Sequence, residues 1–330
     1  MNEFSYFCAM RTEDALRKKQ RDGSRFLAGG TNLIDLMKCN VEHPTQLIDI
    51  TRLPDMNDIS FDVGMVRIGA LARMSDLENH PDCRRLAPAI YDALWQAASP
   101  QLRNMATIGG NLLQRTRCVY FRDAQTFPDC NKRNPGSGCA ARGGVHGDHA
   151  ILGTSESCIA VYPGDLAVAL TAFDAVVIVR NASQRERRIP VEHFFLLPAD
   201  TPHLEHDLAA DELIVAIELR QTPALRRSHY LKVRGRSSYE FAIASAAVGL
   251  ELDGNRIRDV RIALGGVATR PWRARNVEAA LRNQPFDEQQ LRQAAQLITQ
   301  DAEPLLQNKH KQLLAPRVIA RALMKAGELA

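Results

Sequence analysis

The sequence predicts an α+β protein of two domains, and three observations carry that expectation. A chain of 330 residues with 45% hydrophobic content can bury a large core; at roughly 150 residues per domain it should divide in two. Along the first two thirds, short alternating strand patterns are interleaved with short helical ones. Near Pro223 to Arg227 the patterning loosens, and beyond it strands are followed by helices in a tail of about 105 residues. The expected domains are residues 1–224 and 225–330.

The elements follow in order. Phe4, Tyr6 and Cys8 alternate as on a half-buried strand, and Thr12 is placed to cap a helix carrying Ala15 and Leu16 that ends near Gly23. Arg25 to Ala28 reads as a second strand and runs into Gly29, Gly30, Thr31 and Asn32, after which Leu33, Ile34, Leu36 and Met37 begin a helix. In such a turn glycines let backbone amides approach an anion, and a following helix adds unsatisfied donors and the positive end of its dipole. Taken alone the turn reads better as a plain loop than as a phosphate site, and it lacks the G-x-G-x-x-G spacing of a Rossmann turn. Strands are expected at Gln46 to Ile50 and Val66 to Gly69, then a helix from Arg84 to Ala98. A second glycine turn, Thr107, Ile108, Gly109, Gly110 and Asn111, strengthens the case for a pyrophosphate cradle.

Between that turn and Asp165 lies a segment with four of the seven cysteines, Cys118, Cys130, Cys139 and Cys158. It is rich in glycine, proline and polar residues and shows almost no apolar periodicity, so burial alone should not order it; a structureless loop of about 40 residues in a compact domain is improbable. The segment is expected to be either disordered or pinned by bound metal. The spacings of 11, 8 and 18 residues fit neither a compact ferredoxin run nor a zinc ribbon, which leaves a [4Fe-4S] cluster, a zinc site and buried thiols open. His146 and His149 could serve zinc or simply be solvated. Cys8, Cys39 and Cys83 stand alone and read as small buried or half-buried side chains.

Asp165 is placed to cap a helix through Leu166 and Leu170 or to accept a hydrogen bond from a ligand. Strands are expected at Ala175 to Val179, Leu213 to Leu219, Tyr230 to Val233, Ile243 to Leu250 and Val260 to Leu264, and helices at Val277 to Arg282, Glu288 to Ile298 and Gln312 to Met324. The basic run Arg185 to Arg188, interrupted by Glu186, reads as a solvated turn or edge strand. With 42 basic and 38 acidic residues, a net charge of +4 is too balanced to argue for nucleic acid. Met1 to Met10 holds Glu3 and no basic region followed by an apolar run, so no secretory leader is expected. No stretch of about 18 apolar residues is present to span a membrane.

The combination of Phe26 to Leu33, Arg103-Asn104 with Thr107 to Asn111, and Leu231 to Glu240 resembles the FAD-binding medium subunit of the molybdenum hydroxylases, the xanthine dehydrogenase family. Within it, the run Asn111 to Cys118 with Cys130 to Cys139 and Cys158 looks like the FAD subunit of periplasmic aldehyde oxidoreductases, which carries an extra iron-sulfur cluster. The resemblance implies a vanillyl-alcohol-oxidase/PCMH-type FAD-binding domain of two subdomains, with the cysteine insertion at about 115–162, and a CO-dehydrogenase-flavoprotein-like C-terminal α+β domain. By position it gives Leu27, Ala28, Gly29, Gly30, Thr31, Asn32 and Leu33 as flavin contacts from the first turn, and Thr107, Gly110 and Asn111 from the second. It also gives Asp165 at the adenosine end, Ile214 as an apolar contact, and Lys232 near the flavin ring. There a cation would stabilise the negative charge of the reduced ring. The cysteines Cys118, Cys130, Cys139 and Cys158 become ligands of a [4Fe-4S] cluster.

The implied function is electron transfer in a heterotrimer, from [2Fe-2S] clusters of a small partner subunit to FAD and on to an external acceptor. The molybdopterin cofactor would reside on a large partner subunit, and no general base is assigned to this chain. A periplasmic address would require co-export with a signal-bearing partner; the alternative is cytoplasmic. Two rival readings are a free-standing flavin oxidase and a flavin-free assembly scaffold with structural zinc.

Overall fold

A computed structural model describes residues 1–328; residues 329–330, the end of the expected second domain, lie outside the described residues. Three strands, β1 (Ser5–Cys8), β2 (Ser24–Leu27) and β3 (Gln46–Asp49), form a parallel sheet in the order β1-β3-β2. Parallel neighbours need crossovers, and the helices Thr12–Lys19 and Leu33–Lys38 supply them. Thr12 lies inside the first of these helices and does not cap it; Arg11 is the cap residue.

The second sheet is antiparallel: β4 (Ile59–Asp62), β5 (Met65–Gly69), β6 (Val176–Arg180), β7 (Glu186–Pro190) and β8 (Leu213–Arg220), in the order β4-β5-β8-β6-β7. It shares one apolar core with the first sheet and with the helices Pro88–Trp95 and Leu166–Ala172. The helix expected from Arg84 to Ala98 is two helices, Cys83–Leu86 and Pro88–Trp95. Pro88 has no amide to donate and stands at the start of the second, where none is needed. The basic run is the edge strand β7, with Arg187 paired to Glu212 and Asp207 and Arg188 to Glu218.

The third sheet, β9 (Ser228–Val233), β10 (Ala244–Asp253), β11 (Arg256–Gly265) and β12 (Trp272–Arg273), is an antiparallel layer ordered β12-β11-β10-β9. Its outer core is covered by the helices Arg275–Leu281, Glu288–Ala295 and His310–Glu328. The long hairpin β10-β11 turns at Gly254, whose φ of 57° suits glycine. Where the pattern loosens, Thr222 caps the short helix Pro223–Arg226 by accepting from the Leu225 amide at 3.1 Å. β9 lies along the helix Pro88–Trp95, where Asp92 accepts from the Tyr230 amide at 3.3 Å and lies 2.7 Å from His229 Nδ1. Two domains joined this way leave a cleft between them.

The cysteine segment is ordered by more than its sulfurs. Phe121 packs with Leu36, Val41 and Cys130, while Tyr120, Ala141 and Ile159 form a second small cluster. The Arg133 guanidinium donates to the carbonyls of Tyr120, Phe121, Phe127 and Pro128, closing a loop that has no regular ladder. Burial, which was not expected to order the segment alone, thus contributes beside these hydrogen bonds. Leu36 and Val41 come from a distant part of the chain, and Tyr120, Ala141 and Ile159 are widely spaced within the segment, so periodicity cannot reveal either cluster.

Glycine at 249 marks the tightest seam between β10 and the connector, since a Cβ there would lie 2.4 Å from the Ala224 carbonyl oxygen and 2.6 Å from Phe173. Gly249→Ala should lower the urea unfolding free energy by about 1–3 kcal/mol. An unchanged midpoint would show that β10 does not press on the connector.

Candidate functional site

The first glycine turn follows β2 and is pressed against the chain that enters the second. A Cβ on Gly29 would lie 1.9 Å from the Met105 carbonyl oxygen, and Gly30 has a φ of 72°. Gly29 therefore permits the close approach of the two turns, and Gly30 permits the bend. The turns are chemically unequal. Among the described residues the amides of Gly30, Thr31 and Asn32 find no acceptor. In the second turn Ile108 donates to Ala72, Gly109 to Ala70, Asn111 to the Thr107 carbonyl, and Gly110 to Thr107 Oγ1 at 3.3 Å. From Ile108 to Asn111 the second turn thus has its amides engaged, whereas three successive amides of the first turn are free among the described residues.

Both turns line a cavity of 250 Å³ with Ala28, Gly29, Gly30, Thr31, Asn32, Leu33, Thr107, Gly110 and Ile214 on its walls. Leu27 is not on that wall; it lies behind Gly30. Asn111 is also off the wall, and its Oδ1 is buried without a hydrogen-bond partner among the described residues.

A second cavity of 380 Å³ opens between the domains, lined among others by Arg117, Cys118, His149, Tyr162, Asp165, Phe241, Ile243 and Lys311. Asp165 neither caps its helix nor stands apart from Lys232: its carboxylate accepts from Lys232 Nζ at 2.7 Å and from Tyr230 Oη at 2.5 Å. The pair is sealed, with side-chain exposures of 6% and 1%. Burial pushes the Asp165 carboxyl above its ordinary range, against the pull of Lys232 and Tyr230. Asp165 and Lys232, expected at the adenosine end and near the flavin ring, thus lie in direct contact with each other. The Lys232 charge is also matched by a carboxylate. Lys311 presents a different cation to this cavity, donating to the Asp148 and Gly266 carbonyls at 2.7 Å each, and burial lowers its pKa to about 8.

The four cysteines converge. Cys118, Cys130, Cys139 and Cys158 all line one cavity, whose free space of about 10 Å³ suits a single water at most. All are free thiols, and among the described residues no three His, Cys, Asp or Glu side chains are arranged to hold a metal ion. The donor set nevertheless has the chemistry of a four-thiolate cluster site. Burial, with Cys130 and Cys158 nearby, pushes the Cys118 thiol up to about 12. His146 and His149, which could have been solvated, are both buried; His149 Nε2 lies 3.2 Å from Cys118 Sγ, and His146 Nδ1 lies 2.9 Å from the Gly144 carbonyl. Of the lone cysteines Cys83 is buried, and Cys8 and Cys39 are half-buried.

Residues 2–221 match the family model of the FAD-binding domain in molybdopterin dehydrogenase. The chain belongs to this FAD-binding family. Residues 229–326 match the CO dehydrogenase flavoprotein C-terminal domain, so both parts of the expected α+β architecture are found. Over 320 residues, 95% of each chain, it is 46% identical to the aldehyde oxidoreductase FAD-binding subunit PaoB of Escherichia coli K12. Over 327 residues, 98% of this chain and 97% of the other, it is 28% identical to the glyceraldehyde dehydrogenase medium chain of Sulfolobus acidocaldarius. In fold it is similar to a chain of the carbon monoxide dehydrogenase of Hydrogenophaga pseudoflava, with a TM-score of 0.77 at 24% identity, covering 99% of this chain and 98% of that one. It is an FAD-binding member of an oxidoreductase family.

Site residues that sequence reasoning passed over include Arg117, Tyr230 and Lys311. Only Arg117 carried any signal, its place in the run of residues that ends at Cys118.

Two tests follow from this geometry. Lys232→Met leaves a buried carboxylate unpaired and should cost about 3–5 kcal/mol, while the double variant with Asp165→Asn should lose less than the sum of the two. Additive losses in denaturant would show that the pair is not coupled. His206, its Nε2 sealed and without a partner among the described residues, is pulled by burial to about 4. The unfolded chain therefore binds more protons between about pH 6.5 and 4, and stability should fall as pH drops through that window. His206→Gln should flatten the slope by up to about 1.4 kcal/mol per pH unit, and an unaltered slope would assign the acid sensitivity elsewhere.

Proposed function

We propose that this chain is the FAD-binding, iron-sulfur electron-transfer subunit of a heterotrimeric molybdenum-dependent aldehyde oxidoreductase. The observation that carries this reading is the position of Cys118, which lines both the interdomain cavity and the four-cysteine cavity. A cluster held by Cys118, Cys130, Cys139 and Cys158 would thus abut the flavin site through one of its own ligands. The 46% identity to PaoB supports the aldehyde oxidoreductase assignment. Partners of the expected kind are a small subunit with [2Fe-2S] clusters and a large subunit with the molybdopterin cofactor, and an external molecule takes the electrons away.

The residues divide the work. Ala28 to Leu33, with Thr107, Gly110 and Ile214, would hold one part of the dinucleotide in the first cavity. Asp165, oriented by Lys232 and Tyr230, would face the other part in the interdomain cavity, where Tyr162, Phe241 and Ile243 provide apolar walls and exclude water. Bound FAD would supply acceptance of an electron pair and its release one electron at a time. A periplasmic location, reached by co-export with a signal-bearing partner, accompanies this reading.

Co-expression with the neighbouring subunits and anaerobic purification tests it. The complex should contain FAD, about four irons per chain with matching acid-labile sulfide, and a flavin band that aldehyde bleaches; the chain alone should not be bleached. Stoichiometric zinc without sulfide would sink the cluster, and bleaching of the isolated chain would favour a free-standing oxidase. Fractionating cells that carry the partner with and without its leader checks the compartment. Cys130→Ser should lower FAD content together with iron, because the insertion is knitted to the first turn. A fully yellow variant with slowed electron transfer would confine the segment to relay.

A further inference from the structure

The sequence Arg115-Thr116-Arg117 opens the cysteine insertion, and its two arginines have opposite fates. Arg115 is spent: it pairs with Glu42 at 2.6 Å and Glu205 at 3.2 Å and donates to the Lys132 carbonyl. Arg117 is half-buried and has no carboxylate within 4.0 Å among the described residues. Asp35, which acts on it at longer range, is itself paired with Arg122. The Arg117 contacts are to Asn32 Oδ1 at 2.9 Å and the Arg115 carbonyl at 3.3 Å, both through Nη1, with its guanidinium lying over the Phe241 ring. The rest of its donor fork has no partner among the described residues.

Position gives this cation a task. Arg117 lines the interdomain cavity, and Asn32, which it touches, lines the cavity of the glycine turns. Their contact is the seam between the two. A dinucleotide that occupies both cavities must cross that seam, and in FAD the group midway between flavin and adenosine is the diphosphate. A planar fork with free N–H groups matches phosphate oxygens in charge and shape.

We propose that Arg117 is a diphosphate-binding residue for FAD, so that the cysteine-bearing insertion is itself part of the dinucleotide site. The inference rests on the FAD reading above. It makes retention of FAD depend on the order of the insertion, since Arg117 adjoins Cys118.

The test uses the full chain, stripped of flavin and titrated with FAD and with riboflavin, which lacks the phosphates. Wild type should bind both, FAD more tightly. Arg117→Met should weaken FAD by at least about tenfold and leave riboflavin unchanged, and the salt dependence of FAD binding should flatten. Arg117→Lys, keeping charge without the fork, should fall between and covers the case in which the methionine variant does not fold. Equal weakening of both ligands, or unchanged FAD binding, would overturn the proposal. A wild-type chain that binds neither flavin would instead overturn the FAD reading on which it stands.

Discussion

The contact between Asp165 and Lys232 joins everything that makes a site here. One partner begins the helix Leu166–Ala172 of the first domain, and the other lies on β9 of the second, with Tyr230 two residues away on the same face. Charges this deeply buried hold only when paired and hydrogen-bonded. The pair therefore fixes how the domains meet and shapes the wall of the cavity between them. It also removes Lys232 from the free cations, which leaves Arg117 and Lys311 as cations that line that cavity with no carboxylate in a salt bridge among the described residues.

The insertion behaves as a keystone between the domains. Lys132 and Arg115 tie it to Glu205, and Arg117 ties it to the first turn. On the other side Asn308 donates to the carbonyls of His149 and Ala150, and Lys311 to that of Asp148. Because arginine, lysine and asparagine side chains satisfy its backbone, the segment needs little regular secondary structure. Its thiols are thereby gathered beside the interdomain cavity, and Cys118 is shared between the two.

The glycine turns divide their labour in the same way. The second turn spends its Ile108 and Gly109 amides on Ala72 and Ala70 and its Gly110 and Asn111 amides on its own Thr107, and so acts as a platform; the first, resting on that platform through Gly29, keeps donors free among the described residues. The helix after the first turn is only six residues long, so local amides matter more there than a helix dipole.

Much of this was legible in the chain. The α+β class, most strands, both glycine turns and the grouping of four cysteines rest on local patterns, because period, turn chemistry and motif spacing are local properties. Pro88 would also have split the expected helix had its missing amide been weighed. Of the hairpin β4-β5 only β5 was seen; β4, four residues long, is too short for alternation to register. What only the tertiary structure decided is pairing across long separations. Arg115 and Arg117 are indistinguishable in sequence, yet one is neutralised by Glu42 and Glu205 and the other meets no carboxylate among the described residues; Lys232 reads as a free cation until Asp165, 67 residues away, is placed against it. Charge, unlike periodicity, takes its meaning from neighbours that the fold alone brings near.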